Sequence, residues 1–115
     1  MVTKNVWMSY DLGIQGDYNH LYAWLDNHGA IECGDSMAFL KYVIPQKMED
    51  PEFLDYIRAD LEKSISFKPG DRVYVIRFDP QDKTYYGKFI IGKRKASPWE
   101  GYGDSDDNDS DDGLE

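Results

Sequence analysis

Asp11 closes an apolar stretch, Val6-Trp7-Met8-Ser9-Tyr10-Asp11-Leu12, that stops at Gly13 and Gly16 before a helix starts at Asp17. A carboxylate at a strand end is placed to bind a hard cation, which takes one or two carboxylates and fills its remaining positions with water. Two copies of Asp11 facing each other across a dimer axis could hold magnesium and orient a hydrolytic water. A structural role competes with this: strand-end aspartates accept hydrogen bonds from the amides of a following loop, here Gly13 to Gly16. Lys88, Lys93, Arg94 and Lys95 are a second candidate set, a basic cluster able to contact phosphates, against which stands the commoner reading of a solvated strand end. Trp99 and Tyr102 follow it, and such aromatics either pack on the domain's own helices or anchor a partner.

Other chemistries are poorly served. Cys33 is the single cysteine, so no intrachain disulfide forms, and with only His20 and His28 beside it a cysteine/histidine zinc cage cannot close. Cys33 reads as a buried structural thiol in a strand, and both histidines read as surface residues. No Ser-His-Asp set or phosphate-cradling glycine loop can be assembled. No apolar run approaches the roughly 18 residues that cross a bilayer. No signal-peptide hydrophobic region precedes the first strand, so the expected location is cytoplasmic, with no membrane partner.

These residues must be positioned by a short series of elements. Val6, Met8, Tyr10 and Leu12 alternate against Trp7, Ser9 and Asp11, the period of a strand. Asp17 is a good N-cap for a helix presenting Tyr18, Leu21, Tyr22 and Leu25 on one face and ending at His28-Gly29. Ala30–Cys33, a Gly34-Asp35 turn and Ser36–Ile44 read as a hairpin. Asp50-Pro51-Glu52 predicts a helix start, with Asp50 as cap, for an apolar stripe of Leu54, Ile57, Leu61 and Ile65. Val73–Phe78 and Thr84–Ile91 complete the strands.

This order predicts an α+β ferredoxin-like βαββαβ domain, an antiparallel sheet with both helices on one face and an extra C-terminal strand. The domain spans residues 1–95, followed by an aromatic extension at 96–102 and an acidic, disordered tail at 103–115. Of the formal charge of −9, seven units lie in the last twelve residues, leaving −2 for residues 1–103. The acidity therefore belongs to the tail, by default a plain solubilising segment, which could also compete with nucleic acid for the basic cluster. The last strand, apolar on both faces, predicts an edge that pairs in a homodimer through Tyr85, Phe89 and Ile91.

Tyr10-Asp11, Leu21 and Leu25, Gly29, Ser36-Met37-Ala38-Phe39 and Asp71-Arg72-Val73-Tyr74-Val75-Ile76 resemble the CRISPR-associated Cas-two family, and more closely its small SinR-like relatives. The resemblance covers roughly residues 5–92. It implies a ferredoxin-like homodimer in a bacterial defence or mobile-element setting, some members cleaving RNA or DNA with a metal on the first-strand aspartate and others organising nucleic acid. The chain departs from the pattern in having no arginine between Gly13 and Asn19, and Leu40-Lys41 where a glutamate is usual. These departures weaken the carry-over of nuclease activity and of CRISPR partnership, and hardly touch that of the fold. The leading expectation is a homodimeric module binding nucleic acid or protein, needing no cofactor. The alternatives are a magnesium-dependent ribonuclease built on paired Asp11 and a purely structural interaction domain.

Overall fold

The computed structural model describes residues 1–104. Seven elements follow one another: β1 (Val2–Asp11), α1 (Tyr18–Asn27), β2 (Ile31–Glu32), β3 (Met37–Ile44), α2 (Glu52–Ser64), β4 (Arg72–Asp79) and β5 (Thr84–Ile91). The five strands form one antiparallel sheet in the order β2-β3-β1-β4-β5. This α+β architecture is compatible with a ferredoxin-like arrangement. No helix among the described residues is long and apolar enough to cross a membrane.

Alternation along the strands divides the sheet into two unlike faces. Val6 and Met8 on β1, Ala38, Leu40, Tyr42 and Ile44 on β3, and Val73 and Val75 on β4 are all buried. They share the core with Leu21, Trp24 and Leu25 of α1 and Phe53, Leu54, Ile57 and Leu61 of α2. Tyr42 sits between the helices, its ring 5.9 Å from that of Trp24 and 6.0 Å from that of Phe53. Its hydroxyl donates to Asp60 Oδ2 at 2.7 Å, and burial together with this bond pushes the phenol well above its ordinary pKa. The opposite face has no helix over it and carries Trp7, Phe39, Ile76, Tyr74 and Phe89, none of them fully buried.

Several local expectations need correction. Trp24, rather than Tyr22, completes the buried face of α1, because it closes on Tyr42 while Tyr22 remains 54% exposed. Asp17 does cap α1, accepting from His20 N, and also from Ser66 N at 2.9 Å; this last bond is the main cause of its lowered pKa. Asp50 does not cap α2: its Oδ2 is taken by Arg77, whose Nε lies 2.9 Å away. Cys33 is exposed, because β2 is only two residues long and lies at the sheet edge. His28 is half-buried, stacked 4.1 Å from the Trp24 ring, whereas His20 is exposed as expected.

The end of the sheet that carries Asp11 is tied together by a different aspartate. Asp71 is 2% exposed; its Oδ1 accepts from Gly13 N at 2.9 Å and its Oδ2 from Lys68 N at 2.8 Å. The loop amide expected to bond Asp11 thus bonds Asp71, which joins the β1–α1 and α2–β4 connections. A buried charge is tolerated only when such donors satisfy it. Asp71→Ala removes two charge-assisted bonds and strands their donors, so it should cost about 3 kcal/mol in urea unfolding. A loss under about 1 kcal/mol, no more than one ordinary hydrogen bond contributes, would show that the two loops are held by other contacts.

Candidate nucleic-acid interface

On the open face, pairing register brings the candidate residues together. Asp11 lies directly across from Arg72, Ser9 across from Tyr74, and Tyr74 across from Phe89. Residues two apart on a strand share a face, so Ser9, Asp11, Arg72, Tyr74 and Phe89 form one patch spanning β1, β4 and β5. Arg72 donates to Asp11 Oδ2 through Nη2 at 2.7 Å and Nε at 3.3 Å. Its guanidinium also lies 5.3 Å from the Phe89 ring centre.

Two glycines complete the patch. Gly92, at φ 73°, turns the chain after β5 in a conformation that a side chain would strain, and its missing Cβ leaves room for the Asp71 carbonyl. The turn carries Arg94 back over the sheet, where it stacks 5.7 Å from the Tyr74 ring centre and 5.4 Å from that of Phe89. Gly87 on β5 lies beneath Tyr74, whose ring occupies the space a Cβ would need. Tyr74 and Phe89 then meet edge to face at 4.7 Å, forming an aromatic floor under the two guanidinium groups.

The result is a groove with two compartments. One, of about 280 Å³, is lined by Ser9, Asp11, Arg72, Tyr74, Phe89 and Arg94. The other, of about 450 Å³, shares Arg72, Phe89 and Arg94 and runs on along Lys95 to Trp99. The first compartment contains a carboxylate, whereas the second contains three cations and no acid. Trp99 is 72% exposed and Tyr102 86% exposed, so neither packs on the helices.

The other sequence candidates fall elsewhere. Lys88 pairs with Val75, a core-facing position, and so lies on the opposite side of β5 from Phe89. Lys93 is exposed and lines neither compartment. Ile91 is buried in the chain's own core, as is Ile90. A register shift between β4 and β5 turns both isoleucines inward, and Arg58 Nε satisfies the Ile90 carbonyl at 2.9 Å. Tyr85 is 59% exposed on the open face, beside Phe78 and Trp7.

Within one chain, Asp11 meets an arginine rather than another carboxylate. Among the described residues no three His, Cys, Asp or Glu side chains gather where they could hold a metal ion. Arg72, Tyr74 and Ser9 were not singled out as site residues from the sequence. Their signal was the alternation of β4 beside Asp71, read across to the Ser9/Asp11 alternation of β1.

No family model matches the chain, and no curated protein or solved structure does. The groove is therefore read from its own geometry.

Gly87→Ala should push Tyr74 out of the floor while leaving the core intact. The expected outcome is an altered near-ultraviolet tyrosine signal with unchanged helix content. Near-ultraviolet spectra that superimpose would contradict the Tyr74–Gly87 packing.

Proposed function

We propose that this chain is a small ferredoxin-like binding module, homodimeric and without strong catalytic activity, that takes a single nucleic-acid strand along the groove from Asp11 to Trp99. The observation that carries this reading is the stacking of Arg72 on Phe89 and of Arg94 on Tyr74 and Phe89, continued by Lys95 and Trp99. Proteins that bind single strands combine cations tracking the backbone with aromatic rings on which bases stack. A duplex offers no free base faces to such rings, so the preferred ligand is single-stranded. The bacterial defence or mobile-element setting and the cytoplasmic location rest on the family resemblance and the sequence alone.

Homodimerisation is supported by the other end of the open face. There Ile31, Phe78 and Tyr85 are 62%, 40% and 59% exposed around Trp7 and Phe39, whose rings lie 5.0 Å apart. An apolar patch of this kind favours burial against another surface, and a second copy would cover it while leaving the groove residues free. Light scattering should give twice the monomer mass at tens of micromolar protein; a monomer would remove the dimer from the proposal.

Binding is measured by the anisotropy of a labelled short single-stranded RNA. Trp99→Ala should cost ~1–3 kcal/mol of binding, the contribution of one stacked base. Arg94→Ala and Lys95→Ala should each flatten the salt dependence by roughly 0.7 in log–log slope, whereas Lys88→Ala should not. The acidic tail beyond Asp104 lies outside the described residues, and its sequence predicts competition for the same cations. Truncation after Tyr102 should raise affinity, with a gain that shrinks as salt is added. Wild type that binds no single strand at low salt would overturn the reading.

The magnesium-dependent ribonuclease alternative requires Asp11 to leave Arg72 for a metal shared with a partner copy. With magnesium or manganese, RNA should remain intact under the binding reading. Metal-dependent cleavage abolished by Asp11→Asn would replace it with the nuclease reading.

A further inference from the structure

We infer that Asp11 reads a base: the carboxylate selects, from the strand bound in the groove, a nucleotide whose Watson–Crick edge offers N–H donors, guanine foremost. This rests on the proposed binding of a single strand and adds to it a rule of sequence preference.

The argument starts from the unequal chemistry of the two compartments. A phosphate is repelled by a carboxylate and attracted to cations, so the strand backbone belongs over Arg94, Lys95 and the Ser97–Trp99 segment, where no acid lines the wall. The base attached to that backbone then extends into the neighbouring compartment, because the two share Arg72, Phe89 and Arg94. That compartment, about 280 Å³, is large enough for one purine, and the guanidinium groups held over its aromatic floor offer planes on which the ring can stack.

At the far end of this space stands Asp11. Both of its hydrogen bonds from Arg72 go to Oδ2; among the described residues Oδ1 accepts none. An ionised carboxylate is purely an acceptor, so Oδ1, open to solvent, is free to take a donor from a base that displaces its water. Guanine presents adjacent N1–H and N2–H donors, with its O6 acceptor beside them for an arginine. Uracil presents a single N–H between two carbonyl oxygens, which a carboxylate repels. Arg72 fits the same scheme as a positioning residue: its two bonds to Oδ2 orient the carboxylate and leave Oδ1 without a protein donor among the described residues.

The test compares short oligouridylates with the same oligonucleotides carrying one central guanine or one central adenine. Wild type should bind the guanine strand at least about fivefold more tightly than the oligouridylate, the lower bound for one good base contact. Adenine, with one exocyclic donor beside an acceptor, should fall between them. Asp11→Asn should bring the three strands to nearly equal affinity; the readout is the ratio of guanine-strand to oligouridylate affinity within each protein, which is independent of how the lost charge alters binding to all strands alike. Equal binding of all three by wild type overturns base reading and leaves the single-strand proposal standing. Loss of all binding in Asp11→Asn, with an unchanged unfolding midpoint, shows that Asp11 only positions Arg72 and also overturns it. Failure of wild type to bind any strand removes the underlying proposal and this inference together.

Discussion

The groove exists because one buried carboxylate holds the end of the sheet in place. Asp71 binds the amides of Gly13 and Lys68, so the loops that leave β1 and enter β4 cannot separate. Its backbone carbonyl packs against the turn at Gly92, which brings Arg94 back over the face. Its chain neighbour Arg72 is thereby fixed across from Asp11. Three segments distant in sequence are thus referred to one residue, and a shift there would move every group lining the groove. The dependence runs one way: Asp71 is enclosed and makes no contact with the cavities, while the residues it positions are partly open to solvent.

The two sheet faces differ in the strength of the contacts they carry. The face under α1 and α2 is occupied by aliphatic side chains and Tyr42, and it supplies most of the hydrophobic stabilisation. The open face carries interactions that are individually weak. An exposed ion pair such as Asp11–Arg72 contributes ~0–1 kcal/mol, and a cation over an exposed ring ~0.5–1 kcal/mol. Contacts of that size orient the guanidinium groups without committing them, so a ligand can exchange or share them at little cost. Pre-ordering also spares the side-chain entropy that binding would otherwise lose.

What could be read from the sequence followed the range of the interactions involved. The stripe Leu54, Ile57, Leu61 and Ile65, the bounds of β5 and the left-handed Gly29 depend on local periodicity and backbone preference, and the structure has them. An Asp-Pro helix start is a local signal that marks Asp50 as a cap, while its pairing with Arg77 spans 27 residues. Ile91 was placed at an interface because strand alternation cannot reveal a bulge, which depends on β4 and on Arg58. Asp11 stood out through its strand-end position, but its partner lies 61 residues away. Arg72 and Tyr74 become site residues only once β4 is laid beside β1 in register, and Arg94, a phosphate candidate from its basic neighbours alone, joins them once Gly92 reverses the chain. The ingredients of the groove were visible; their juxtaposition was not.

The central claim is that one end of the open face, rather than the molecule's basic residues at large, receives the ligand. Lys4, Lys47 and Arg77 line a cavity beside Phe78 and Pro80, away from the groove residues, and provide an internal control. Amide chemical-shift mapping of the isotope-labelled protein with a short single-stranded RNA tests this most directly. The largest shifts should fall at Arg72, Tyr74, Phe89, Arg94 and Trp99, with Lys4, Lys47 and Arg77 unmoved. Shifts centred on Lys4, Lys47 and Arg77, or none at saturating RNA, would contradict it.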